Sequence, residues 1–149
     1  MPCSSTGYIV QNGTHWKKES DANVKSQGNS AESHAERQAY KGFGNKAGPY
    51  LIVQDAFPCY DKCHQYFLNE SKSKPGKNNT VIPGYNIIIK VTADNTNDAQ
   101  SYVDNKVTKW IGTGSYPYYM YYRNGSVTFR AKIPNAPPTF PPHPSPAGV

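Results

Sequence analysis

The run from Tyr85 to Thr92 carries Ile87, Ile88, Ile89 and Val91 almost without interruption. A strand that is apolar at consecutive positions presents hydrophobic side chains on both sides of a sheet, so both sides must be covered. Tyr50 to Phe57, bounded by Pro49 and Pro58, is a second central-strand candidate. Between and around these two runs the pattern changes to helical spacing, and that alternation sets the fold class.

Tyr8, Ile9 and Val10 form a short strand candidate, and Asn12-Gly13 is a hairpin turn signal with Thr14, His15 and Trp16 starting the return strand. Glu19 to Ser30 is polar and reads as a loop. Ser33 to Gly42 reads as a helix, with Ser33 as its N-cap and Gly42 or Gly44 as its stop. Cys59 to about Ser71 reads as a second helix on Tyr60, Cys63, Phe67 and Glu70, ended by Pro75-Gly76. Asp98 to Ile111 reads as a third, on Ala99, Tyr102, Val103, Lys106 or Val107, and Trp110. Tyr116 to Arg123 and Ser126 to Ile133 flank Asn124-Gly125, a second hairpin signal. Strands that alternate with helices in this way predict an α/β domain of three layers, α/β/α.

With 149 residues the chain is long enough for one compact domain. Met1 to Thr6 reads as a linker or start segment, 7–133 as the folded domain, and 134–149 as a Pro-rich disordered tail. That last stretch holds seven of the 13 Pro and is expected to be dispensable for catalysis. No run approaches the about 18 apolar residues of a membrane span, and no segment reads as a signal peptide. Three Cys, odd in number and sparse, exclude a disulfide-stapled mini-protein. The formal charge of +6 favours anionic partners, nucleic acid among them.

The residues that carry chemistry are His34-Ala35-Glu36 and Pro58-Cys59-Tyr60-Asp61-Lys62-Cys63. Each has an ordinary structural reading: His34 as a capping or surface residue, Glu36 as the partner of Ser33 in a capping box, Cys59 and Cys63 as small buried groups. Together they suit a metal. Catalytic Zn²⁺ takes three protein ligands from residues such as His and Cys and keeps an open position. Cys59 and Cys63, four apart, fall on one helix face, and His34 joins them if its helix starts beside theirs. Helix starts also favour thiolate. Glu36 can then face the open position without being a ligand. His64 follows Cys63 directly but points about 100° away from it on a helix, so it reads as a surface or neighbouring residue.

This pattern resembles the zinc-dependent cytidine deaminase superfamily, whose signature is H-x-E followed by P-C-x-x-C. Here it stands as His34-Ala35-Glu36 and Pro58-Cys59-x-x-x-Cys63, with residues 37 to 57 between. The resemblance spans about Gly7 to Ile133 and implies a cytidine-deaminase-like fold with a mixed five-stranded sheet. One departure is the third residue between the two Cys, which bears on the pitch of the second helix's first turn.

The resemblance implies that His34, Cys59 and Cys63 hold Zn²⁺ and that Glu36 shuttles the proton of the attacking water. It also implies that the Ala35 N–H binds the pyrimidine carbonyl and that the Phe57 carbonyl accepts from the exocyclic amine. Trp16, with Lys17 and Lys18, is expected to line a groove ahead of the active site, and Tyr60 to flank the base. The expected activity is hydrolytic deamination of cytosine to uracil in single-stranded DNA, by a toxin or effector domain similar to the bacterial polymorphic-toxin deaminases. Such a domain would be monomeric, delivered by secretion into a recipient cell's cytoplasm, and paired with an immunity protein, with no membrane partner. The alternatives are RNA or duplex DNA as substrate, a free nucleoside or nucleotide deaminase, and a non-catalytic zinc module. The tyrosines from Tyr116 to Tyr122 read either as a stacking surface or as a strand with half its rings in the core.

Overall fold

A computed structural model describes residues 3–24, 34–75, 81–83, 87–95, 97–132 and 143–149. The strands are β1 (Cys3–Gln11), β2 (His15–Val24), β3 (Tyr50–Gln54), β4 (Ser73–Pro75), β5 (Val81–Pro83), β6 (Ile87–Val91), β7 (Tyr118–Arg123) and β8 (Ser126–Ala131). The helices are α1 (Ala35–Lys41), α2 (Gln65–Glu70) and α3 (Ala99–Asp104). Among the described residues no helix is long and apolar enough to cross a membrane.

Six strands form one mixed sheet in the order β2-β1-β3-β6-β7-β8, and β4 with β5 makes a separate small hairpin. The main sheet therefore has six strands where five were expected. β3 and β6 are its parallel pair, and every other pairing is antiparallel. Both hairpin signals form turns: Asn12 and Gly13, and Asn124 and Gly125, take the positive φ that Asn and Gly tolerate.

Side-chain parity divides the core in two. Tyr50, Ile52, Ile87, Ile89, Val91, Tyr118, Met120 and Tyr122 face α1, α2 and α3. Leu51, Ile88, Tyr119, Tyr121 and Trp16 form a second buried cluster on the opposite face. The Ile-rich strand is thus buried on both sides, as its sequence requires. The tyrosines of β7 are core residues on both faces and offer no open stacking surface.

Among the described residues, all three helices contribute to one face, so the expected helical layer on the second face is not seen. Residues 143–149 cover that face instead. Pro146 is buried, Val149 packs on the Trp16 cluster, and the Lys90 ammonium donates to the Val149 carbonyl oxygen. A disordered tail was expected over 134–149; its last seven residues pack, and 134–142 lie outside the described residues.

The expected boundaries shift in three further places. Residues 3–6, read as linker, belong to β1 and pair with β2 and β3. β2 runs on to Val24 through a bulge beside Gly7 and Tyr8, taking in part of the expected loop. α3 ends at Asp104, and Lys106 has φ +60, so Val107 to Ile111 leave the helix.

Candidate metal centre

α1 is set against the β1–β2 hairpin by two glycines. A Cβ on Gly7 would lie 2.5 Å from the Ser20 hydroxyl, and one on Gly42 would lie 2.5 Å from the Ser20 Cβ. Without those Cβ atoms helix and hairpin close up, and the Ser20 hydroxyl donates to the Ala39 carbonyl at 2.7 Å. This contact holds the C-terminal half of α1 on the hairpin; at the other end of the helix His34 is the N-cap on extended backbone (φ −66°, ψ 141°). Ser33, the expected N-cap, lies outside the described residues. Glu36 is the second helical residue, not the third that a capping box requires, and its carboxylate turns toward β3.

The second half of the centre comes from the chain leaving β3. Pro58 follows the buried Phe57, and its carbonyl accepts a hydrogen bond from the Tyr102 hydroxyl of α3. Cys59 caps the next turn, on extended backbone. That turn, Tyr60–His64, is a π turn: the His64 amide donates to the Cys59 carbonyl at 2.9 Å, a reach of five residues. A π turn holds one residue more than an α turn and is frequent at functional sites. It absorbs the extra residue between the two cysteines and brings Cys63 back over Cys59, whose sulfur accepts from the Cys63 amide at 3.3 Å.

His34, Cys59 and Cys63 consequently meet. The His34 Nδ1 is 3.1 Å from the Cys63 Sγ and 3.5 Å from the Cys59 Sγ. One ligand atom from each residue lies within 4.8 Å of the other two, so the group can hold a metal ion. The donor set, one imidazole and two sulfurs with Cys63 buried, fits a borderline-soft cation. A hydrogen bond from the Cys63 thiol brings the Cys59 thiol down to about 5. Cys63 is pushed up by that same contact, by burial and by the nearby Glu36 carboxylate. Two sulfurs and a carboxylate this close repel as anions, and a cation among them relieves the repulsion.

Glu36 is 4% exposed and lines the same space. Its Oε1 accepts from the Cys63 Sγ at 3.1 Å and lies 3.6 Å from the His34 Nδ1. Its Oε2 accepts from the Gln54 Nε2 at 3.0 Å. Burial raises the Glu36 pKa above the ordinary carboxylate value, while the Cys63 and Gln54 hydrogen bonds oppose the rise.

Gln54 is the functional neighbour that sequence reasoning missed. It is 2% exposed and fully engaged: Nε2 also donates to the Ala56 carbonyl at 2.7 Å, and Oε1 accepts from the Ser5 hydroxyl at 3.0 Å. A chain of hydrogen bonds thus runs from β1 through β3 to Glu36. The signal was present in the sequence, because Gln54 shares the parity of Tyr50 and Ile52 and is polar on an otherwise apolar face.

No family model, no curated protein and no solved structure matches this chain. The reading of the centre therefore stands on its own residues.

The remaining expected site residues divide. Ala35 is buried between His34 and Glu36 at the start of α1, and Phe57 is buried just before Pro58. Tyr60 opens the π turn beside Cys59, half-buried, with its ring stacked on His64 at 5.2 Å and edge-on to Tyr102 at 5.6 Å. Trp16 is not brought to the centre. Its place on β2 puts it on the face away from the helices, where it is 8% exposed and its indole N–H donates to the Pro144 carbonyl at 3.1 Å. His64 is not a surface residue. It is 2% exposed, its Nδ1 lies 2.6 Å from the Tyr122 hydroxyl, and burial lowers its pKa to about 4.

Proposed function

We propose that this chain is a zinc-dependent deaminase that converts cytosine to uracil in single-stranded DNA. The observation that carries the reading is Glu36: a buried carboxylate with a raised pKa, held by Gln54 and placed 3.1 Å from one sulfur of a His-Cys-Cys cluster. A group holding only a structural metal has no use for a buried acid that makes no ligand of itself. His34, Cys59 and Cys63 would hold the zinc, with Glu36 beside them as a proton acceptor that is not itself a ligand.

When bound, zinc supplies an activated water nucleophile near neutral pH. Glu36 would accept one proton of that water and pass it to the ring nitrogen of the base, then accept the second proton, from the hydroxyl formed on the base, and pass it to the amine that leaves as ammonia. Burial raises its pKa, which makes it a better proton acceptor than an open carboxylate. The Gln54 hydrogen bond at Oε2 turns Oε1 toward the cluster, where it meets the Cys63 sulfur. The Ala35 amide and the Phe57 carbonyl, flanking the two halves of the centre, are assigned to the pyrimidine carbonyl and the exocyclic amine.

A polymeric substrate is favoured by the net charge of +6, because neutralising a phosphate backbone releases counterions and a lone nucleoside offers no such gain. A single strand presents its bases without the cost of unpairing. Turnover of a cytosine-bearing single-stranded oligonucleotide should exceed that of free cytidine and should fall steeply with salt. Equal turnover of the two without salt dependence assigns the site to nucleosides.

A further inference from the structure

We infer that Trp110 is an aromatic platform for a base neighbouring the target, on the rim of the metal centre. Trp110 is the exposed large hydrophobic residue of the described structure, with 68% of its surface open. A tryptophan costs free energy in water, and a loosely held one would fold back against apolar surface. The ring lies over Gly112, where a Cβ would come within 2.0 Å of its Cη2 and 2.5 Å of its Cζ2. Only glycine allows the ring to sit where it does.

The segment carrying the ring is tied to the centre through its aromatic floor. The Gly112 amide donates to the Tyr118 hydroxyl at 2.9 Å. The Tyr118 ring packs on Phe57 with centroids 5.7 Å apart, and Tyr116 packs on it at 6.0 Å. Phe57 leads directly into Pro58 and Cys59, and the Tyr102 hydroxyl holds the Pro58 carbonyl. The segment carrying Trp110 therefore sits at the end of the sheet from which β3 leads to the two cysteines, since Tyr118 pairs with Val91 and Val91 with Gln54.

The charges beside it identify the partner. Lys106 and Lys109 are both exposed on this segment, and Asp104 is its one acidic neighbour on the chain. An open aromatic ring among lysines is the combination that binds single strands, with the ring stacking a base and the ammonium groups meeting phosphates. This assignment rests on the reading of a single-stranded substrate, and it replaces Trp16, which lies buried on the other face.

The two tryptophans make the test direct, because only Trp110 is open to a ligand. The full chain carrying Glu36→Gln, which prevents turnover, is titrated with a single-stranded oligodeoxynucleotide while its intrinsic fluorescence is followed. Quenching is expected, and it should vanish in Trp110→Phe. Trp110→Ala should weaken oligonucleotide binding about tenfold, while Trp110→Phe, which keeps a ring, should retain most of it. Lys109→Ala should lower the salt slope by about one. Quenching that persists in Trp110→Phe, or equal oligonucleotide affinity in Trp110→Ala, overturns the platform and leaves the deaminase reading standing. Loss of oligonucleotide affinity in Trp110→Ala, from a chain that deaminates no cytosine, keeps the platform and refutes the deaminase reading.

Discussion

Replacing Gln54 with Leu removes three hydrogen bonds at once while keeping an apolar side chain of similar size on β3. Glu36 Oε2 and the Ala56 carbonyl lose their donor, and the Ser5 hydroxyl loses its acceptor, all in buried surroundings. A bond to a charged group contributes about 1.5–3 kcal/mol and a neutral one about 1, and each buried partner left unpaired costs about as much again. Partial relaxation offsets some of this, so a loss of about 3 kcal/mol is expected, which for a chain of this size lowers the Tm by about 9 °C. The Gln54 hydrogen bond also holds the Glu36 pKa down, so its removal pushes that pKa higher still and frees the carboxylate to rotate. Turnover should therefore fall about 10- to 100-fold, with metal content unchanged, because none of the three ligands is touched. Melting, metal content and turnover measured on one preparation separate these effects. Turnover of Gln54→Leu within about twofold of wild type would show that Gln54 does not act through Glu36. A melting point within a degree of wild type would refute the hydrogen-bond accounting.

Cys63→Ala should abolish metal binding, read as metal per chain after loading and desalting; retained stoichiometric metal contradicts the ligand set. Deleting Lys62 converts the spacing to Cys-x-x-Cys and should let an α turn replace the π turn, so metal binding is retained, whereas inserting a residue there should lose it. Removing residues 143–149 uncovers Trp16, Leu51 and Ile88, so the shortened chain should lose about 2 kcal/mol and show red-shifted tryptophan emission. An unchanged melt would mean that these residues contribute nothing to the second face.

The parts of the fold written in short-range chemistry were legible in the sequence. The Asn-Gly turns, the doubly buried Ile87–Val91 strand and the Gly42 stop of the first helix each follow from local preference or period. The His34, Cys59 and Cys63 cluster was legible because His-x-Glu and Pro-Cys…Cys carry their spacing with them. The π turn was not, since a Cys-x-x-x-Cys spacing fits an α face equally well until the third ligand fixes where both sulfurs must point. Trp16 was misplaced because period-2 parity assigns a face only once the partner strand is known, and its indole N–H finds its acceptor 128 residues away. The packing of 143–149 was hidden for a related reason: proline-rich segments lack periodicity, yet they can cover a sheet without joining its ladder. Trp110 was expected on a helix face; the positive φ of Lys106 ends that helix and turns the ring outward.

His34, Cys59 and Cys63 are proposed to hold a zinc ion beside a proton-shuttling Glu36. Zinc-loaded chain and its Glu36→Ala variant, incubated with a single-stranded oligonucleotide containing one cytosine, test it in one experiment when uracil formation and zinc content are measured together. Both proteins should carry one zinc per chain, and only the wild type should convert cytosine to uracil. Conversion by the Glu36→Ala variant at the wild-type rate, or none by a zinc-loaded wild type, would contradict it.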